Sequence, residues 1–188
     1  MKIPHENHWA ADPMALAPAR VHEAGGAGRS SFAILQALRH PGSVFWVRPR
    51  HEPHRPLPRG LPPGLAERLH LVEARNEADL LWAIEEALRS PACGFVIAEP
   101  AKALNLTAGR RLQLAAEAGR TTGLLLIREG HGCNAAETRW HCEPVAGPAD
   151  STRHRWRLNK NKSGTIGMWT VHWDGASAAC DLVSEAGE

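Results

Sequence analysis

The chain has 188 residues, of which 43% are hydrophobic and 22% charged, and its formal net charge at pH 7 is +2. These values are typical of a soluble globular protein of one domain, and they exclude a disordered or fibrous chain. No apolar run approaches the length of a membrane helix, and the N-terminal residues lack the pattern of a secretory signal. The four cysteines form no CxxC pair, which indicates free thiols in a reducing compartment and a cytoplasmic location.

Strands and helices alternate through the first two thirds of the chain. Short apolar runs predict buried strands, and apolar residues three and four positions apart predict helices. Residues 48–64 carry six prolines, which excludes a helix or a central strand there and predicts an irregular loop. The predicted strands are 20–24, 43–47, 69–73, 94–99 and 123–127, and the predicted helices are 30–38, a stretch from Asn76 to Ser90, and a stretch from Asn105 or Thr107 to Gly119.

Three strands with alternating polar and apolar residues follow, without helices between them, over residues 138–143, 154–159 and 168–173. This order predicts an α/β fold, with a mostly parallel sheet flanked by helices and extended by C-terminal antiparallel strands. The predicted boundaries are a flexible lead-in over residues 1–19, one domain over 20–174, and a tail of acidic and small residues over 175–188.

The turn after the first predicted strand resembles a phosphate loop. A working loop reads Gly, four residues, then Gly-Lys-Ser/Thr, and its backbone amides and helix N-terminus bind the phosphates. Here Arg29 replaces the lysine, and Glu23 replaces the first glycine and brings negative charge towards the phosphate position. A turn without ligand, residual nucleotide or anion binding, and hydrolysis all remain open. The degenerate phosphate-loop-like residues are Gly25, Gly26, Gly28, Arg29, Ser30 and Ser31.

A second requirement of a phosphate-loop ATPase is an acid at the end of an apolar strand, where it holds magnesium. The fourth predicted strand ends in Glu99, followed at once by Pro100. Glutamate substitutes poorly for the usual aspartate, and a plain surface carboxylate is the simpler interpretation. The two departures together predict a protein that is not an enzyme and that takes no cofactor.

Residues 153–162 form a basic strand without an acidic residue. The period of two places Arg153, Arg155 and Arg157 on one face, and Lys160 and Lys162 continue the basic set. Such a row can contact nucleic-acid phosphates, can form a protein interface, or can solvate an edge strand. These five side chains are therefore the candidate surface for a partner or DNA.

Two further groups of residues carry little chemistry. His131, Cys133, His141 and Cys142 lack the spacing of a structural zinc site, so no metal is predicted. The Glu85-Glu86 pair lies on the polar side of a predicted helix, where both carboxylates are expected to be solvated.

Several segments together resemble the ImuA family of bacterial RecA-like proteins, which is related to the SOS cell-division inhibitors. The resemblance covers roughly residues 20–174, and its specific parts are LWAIEEALR (81–89) and TAGRRLQLAAEAG (107–119). The segments are 22–25 (HEAG), 80–89 (LLWAIEEALR), 106–108 (LTA), 110–119 (RRLQLAAEAG), 121–126 (TTGLLL), 138–140 (TRW) and 155–158 (RWRL).

The resemblance implies a RecA-like core and an accessory or scaffold role in DNA-damage-induced translesion synthesis, the SOS mutagenesis response. Its implied partner is a catalytically inactive Y-family polymerase homologue, with the RecA filament and DNA as further candidates. It also implies that Lys160 and Lys162 lie at a subunit or partner interface. A cell-division inhibitor and a weak DNA-dependent ATPase remain alternatives.

Overall fold

The computed structural model describes residues 12–147, 152–174 and 179–185, and these residues form a nine-stranded sheet. The sheet order is β3-β2-β4-β5-β1-β6-β7-β8-β9. The elements in chain order are β1 (Val21–Gly25), α1 (Arg29–Arg39), β2 (Ser43–Pro49), β3 (Leu69–Ala74), α2 (Glu77–Arg89), β4 (Cys93–Ala98), α3 (Leu106–Gly119), β5 (Thr122–Leu126), β6 (Thr138–Val145), β7 (Arg153–Asn161), β8 (Gly167–Asp174) and β9 (Ala179–Glu185).

The sheet has a parallel part and an antiparallel part. Strands β1 to β6 pair in parallel, and β7, β8 and β9 add to the β6 edge as antiparallel strands. Helix α1 packs on one face, whereas α2 and α3 pack on the other. The predicted α/β fold, with its C-terminal antiparallel strands, is confirmed.

Two separate cores fill the space between the helices and the sheet. On the α1 face, the ring of Phe32 lies with its centroid 5.0 Å from that of Trp140 and 5.1 Å from that of Trp156. This core therefore extends across β6 and β7. The second core, under α2 and α3, contains residues such as Ile84 and Leu112 and covers only the parallel strands.

Asparagine side chains define where α2 and α3 begin. The Asn76 side chain accepts a hydrogen bond from the Asp79 amide over 2.9 Å, as the sequence predicts. Asn105, and not Thr107, caps α3 by accepting from the Ala108 amide over 2.8 Å. Helix α1 follows the glycine-rich turn and has no side-chain cap.

A glycine at the end of a helix commonly takes the left-handed conformation, but here Arg120 does so, with φ of 54°. Gly119 is instead the last helical residue of α3. A β-carbon on Gly119 would lie 2.1 Å from the carbonyl oxygen of Leu88, at the end of α2. Close packing of the two helices therefore requires glycine at this position.

Both predicted flanking segments contribute to the fold. Met14 and Leu16 lie within the predicted lead-in, yet their side chains are buried in the α1 core. The carbonyl of Met14 accepts a hydrogen bond from the Gln36 side chain over 2.9 Å. Strand β9 lies within the predicted tail and pairs with β8. The rest of these segments, 1–11, 175–178 and 186–188, lies outside the described residues.

Candidate functional site

The glycine-rich turn after β1 packs directly against the backbone of β6. Gly26 has φ of +86°, and a β-carbon there would lie 2.3 Å from the carbonyl oxygen of Cys142. The Gly28 amide donates a hydrogen bond to that same carbonyl oxygen over 2.8 Å. The Arg29 guanidinium turns back to the Gly26 carbonyl, 3.1 Å away. The Gly28 amide and the Arg29 guanidinium could each contact an anion, but both are already bonded to backbone carbonyls of the chain.

The carboxylate of Glu23 does not lie on the phosphate side of the turn. Ala24 belongs to the α1 core, so the neighbouring Glu23 points to the opposite face of the sheet. There it is buried, forms an ion pair with the Nε of Arg139 at 2.8 Å, and accepts a hydrogen bond from the Cys133 amide. The expectation that Glu23 brings charge to the phosphate position is wrong, because strand alternation turns its side chain away.

A cleft of about 340 Å³ lies beside the turn at the carboxyl edge of the sheet. It brings together Ser30 and Arg29 from the turn with Glu99 from the end of β4, as a phosphate-loop protein would require. Glu99 is already engaged, because its Oε1 accepts a 2.6 Å hydrogen bond from the Trp46 indole and lies 4.0 Å from the Nε of Arg48. The acid thus holds the wall of the cleft together.

Arg48 is a site residue that the sequence analysis missed. Its side chain is almost completely buried, and its guanidinium donates to the carbonyl oxygens of Glu52 and His54. These bonds order the first part of the proline-rich loop, which forms one wall of the cleft. Its position in the sequence could have identified it, because Arg48 directly continues the apolar run of the buried strand β2. A charged group buried at such a position needs partners.

The antiparallel strands carry a second candidate site, which we call the open face. It is the face of β6, β7 and β8 opposite α1. Among the described elements, α2 and α3 pack over the parallel strands, and no helix forms a layer over the open face. Three cross-strand rows make up the surface: His141–Arg157–Met168, Glu143–Arg155–Thr170 and Val145–Arg153–His172.

The predicted basic row of β7 lies on this open face. Arg153 and Arg155 are half-buried and Arg157 is exposed, whereas Trp156 and Leu158 point into the α1 core, as the period of two predicts. Arg155 forms an ion pair with Glu143 at 3.2 Å, between directly opposed residues of neighbouring strands. Three guanidinium groups thus face a single carboxylate among the nine side chains of the open face.

The two lysines at the end of the basic strand serve a different purpose. The Lys160 ammonium donates to the carbonyl oxygens of Asn134 and Ala136 over 2.8 and 2.7 Å. Lys162 donates to the carbonyl of Ala135 over 2.6 Å. Burial and the neighbouring cations lower the pKa of Lys160. Both side chains therefore fix the connection between β5 and β6 within the chain, separately from the arginine row.

The two adjacent glutamates of α2 lie in different environments. Glu86 is half-exposed, but Glu85 is buried and paired with Arg89 at 2.6 Å and with Arg111 of α3, so the expectation of solvation is wrong for Glu85.

Cys142, one of the four His and Cys residues considered for zinc, is buried in the α1 core, and burial raises the pKa of its thiol. In the described part of the chain, no three His, Cys, Asp or Glu side chains cluster as metal ligands.

Comparison with known proteins identifies relatives over most of the chain. The chain is 35% identical over 158 residues to Protein ImuA from two strains of Caulobacter vibrioides, NA1000 / CB15N and ATCC 19089 / CIP 103742 / CB 15. The match covers 79% of this chain. This similarity supports membership of the ImuA family.

The match covers 61% of the length of these ImuA relatives. No protein-family model matches the chain. Within the described residues, no helix is long and apolar enough to cross a membrane. The predicted resemblance to the ImuA family is confirmed.

Proposed function

We propose that this protein is a non-catalytic accessory protein of DNA-damage-induced translesion synthesis. Its proposed mechanism is binding to an inactive Y-family polymerase homologue, with the RecA filament as a second candidate partner. This role requires neither nucleotide hydrolysis nor a bound cofactor, and it places the protein in the cytoplasm. The whole-length ImuA relatives are longer than the matched region, so the proposal concerns the part of the function that this region supports.

The hydrogen bond from the Gly28 amide to the Cys142 carbonyl carries the non-catalytic part of the proposal. A phosphate loop works because its amides are free to surround an anion. Here β6 takes one of those amides, and Glu99 is bonded to Trp46 at the place of the magnesium ligand. These contacts favour a RecA-like core that acts as a binding module.

The open face supports the binding part of the proposal. It carries three arginines and is not covered by a helix of the described chain. Arginine is enriched at protein interfaces, where its planar group binds carboxylates through paired hydrogen bonds. We place the partner surface on Arg153, Arg155 and Arg157, with Lys160 and Lys162 shaping the neighbouring connection.

Affinity purification from DNA-damaged cells tests this function. A tagged copy of the chain is recovered, and the co-purifying proteins are identified by mass spectrometry. We expect the Y-family polymerase homologue, with or without RecA, and its recovery should persist when ATP is depleted. Recovery of the tubulin-like division protein without either of them would indicate a cell-division inhibitor instead.

Purified protein gives the complementary measurement. The alternative of a weak ATPase requires magnesium-dependent phosphate release that single-stranded DNA stimulates and that Ser30→Ala abolishes. We expect no phosphate release above the buffer rate under either condition. Turnover that depends on Ser30 would contradict the non-catalytic assignment.

A further inference from the structure

We propose that the open face binds an acidic segment of a protein partner and not single-stranded nucleic acid. This inference rests on the proposed function, because it names the chemistry of the partner at the same surface. Its basis is the combination of a cationic row with the absence of tryptophan, tyrosine and phenylalanine among the nine residues of the open face, whose only rings are the imidazoles of His141 and His172. The positive charge suits both an acidic protein segment and a nucleic acid, whereas the absence of tryptophan, tyrosine and phenylalanine favours the acidic segment.

The charge of the open face requires an anionic occupant. Arg153, Arg155 and Arg157 project from alternate positions of β7, so neighbouring guanidinium groups are spaced by two residues of an extended strand, about 7 Å. Among the three arginines, only Arg155 pairs with Glu143, at 3.2 Å, and the other carboxylate oxygen of Glu143 lies 4.0 Å from Nε2 of His141. Arg157 is exposed to solvent, and its guanidinium lies 3.7 Å from the Met168 sulfur. A second carboxylate could pair with it without displacing an existing ion pair.

The position of the tryptophans argues against single-stranded nucleic acid. Proteins that bind single strands stack the bases on aromatic side chains, and this stacking supplies much of the binding energy. On β6, β7 and β8, the tryptophans whose side chains the structure describes are Trp140, Trp156 and Trp169, which are at most 5% exposed. All three belong to the α1 core. The open face therefore offers three guanidinium groups but no tryptophan, tyrosine or phenylalanine ring on which a base could stack.

The existing ion pair makes a specific prediction about affinity. Glu143 and Arg155 lie directly opposite each other and are both more than one third exposed. Solvent-exposed pairs of this kind contribute little to stability. Glu143 therefore acts mainly as an internal competitor for Arg155, and an acidic partner segment replaces it. Removing the Glu143 charge should strengthen partner binding, which a purely structural pair would not do.

The test measures the Kd of the full chain for the purified polymerase homologue from the same organism by isothermal titration calorimetry. The double variant Arg155→Gln/Arg157→Gln should weaken binding about tenfold, and Glu143→Gln should tighten it about threefold. Both effects should shrink at high ionic strength, because salt screens exposed charges. The matched control is Arg59→Gln/Arg75→Gln, which changes two exposed arginines away from β7 and should leave the Kd unchanged.

Two competitors identify the class of partner. A short oligoglutamate peptide should compete with the polymerase homologue, and a single-stranded oligothymidylate of similar charge should not. If the complex forms but neither the variants nor oligoglutamate affects it, the inference fails and the proposed function stands. If the oligothymidylate binds and Arg155→Gln/Arg157→Gln abolishes that binding, the open face is a nucleic-acid surface. If the wild-type chain forms no complex, both proposals fail.

Discussion

The Gly28 amide and the Cys142 carbonyl oxygen are joined by a 2.8 Å hydrogen bond that fastens the glycine-rich turn to β6. Gly26 makes the approach possible, because any side chain there would collide with the same carbonyl. The glycines of this turn therefore serve packing between two parts of one chain. In a phosphate loop, glycines of the same kind let the backbone approach a ligand.

Gly26→Ala should destabilise the protein by about 3 kcal/mol, through a clash added to an unfavourable backbone conformation. Gly64→Ala is the matched control, since Gly64 also has positive φ, +79°, but nothing lies within 4 Å of its β-carbon position. It should cost only about 1 kcal/mol. Chemical denaturation measures both values, and equal losses would show that the contact with Cys142 is unimportant.

Restoring the lysine of the phosphate loop should not restore hydrolysis. In Arg29→Lys, the Gly28 amide remains bonded to Cys142 and Glu99 remains bonded to Trp46. We expect the rate of phosphate release from magnesium ATP to stay at the buffer rate, with or without single-stranded DNA. A variant that turns over ATP would show that a single side chain, and not the packing of the turn, had removed the activity.

The order of elements could be predicted from the sequence because its signals are local. Apolar runs identified β1 to β5, and alternation separated Trp156 from the arginines of β7. Strand β9 was missed because small and acidic residues give a weak strand pattern. Its formation depends on pairing with β8, which is a tertiary contact.

The failures at the site share one physical cause, which is the pairing of charges across elements. Arg48, Glu85 and Glu23 are buried, and each obtains its partners from a distant part of the chain or from the loop that follows. A single sequence does not reveal such partners. The interface position of Lys160 and Lys162 stays a prediction, and their bonds to backbone carbonyls became apparent only in three dimensions.

Glu85 should contribute more to stability than its neighbour Glu86. Its side chain is only 7% exposed and links α2 with α3 through Arg89 and Arg111. Glu85→Gln should lower the free energy of unfolding by about 1–2 kcal/mol, a modest value because both arginines remain solvated. Glu86→Gln removes a half-exposed carboxylate and should change the free energy by less than about 0.5 kcal/mol. Equal effects in urea denaturation would contradict the ranking.

His22 should make the fold sensitive to acid. The Trp140 indole donates to the Thr138 oxygen, which leaves the Thr138 hydroxyl hydrogen to bond Nδ1 of His22 over 2.7 Å. The other ring nitrogen, Nε2, donates to the Ala17 carbonyl. The ring is therefore held neutral, and burial lowers the pKa of His22 to about 4.

The unfolded chain binds a proton at His22 near pH 6.5, whereas the folded chain does so only near pH 4. Stability should therefore be lost as the pH falls through this window, by on the order of 3 kcal/mol from this group. Urea denaturation at several pH values measures the slope. In His22→Gln the slope should be shallower, and an unchanged slope would exclude His22 as its source.

The most direct test of the central claim is the damage-induced mutation frequency of a strain that lacks the gene and carries a plasmid-borne copy. Ser30 is exposed at the start of α1, so Ser30→Ala should fold normally while removing the hydroxyl that magnesium nucleotide would need. The account predicts that this variant restores mutagenesis as fully as the wild-type copy. A frequency as low as in the deletion strain, from a normally folded and expressed variant, would contradict a non-catalytic role.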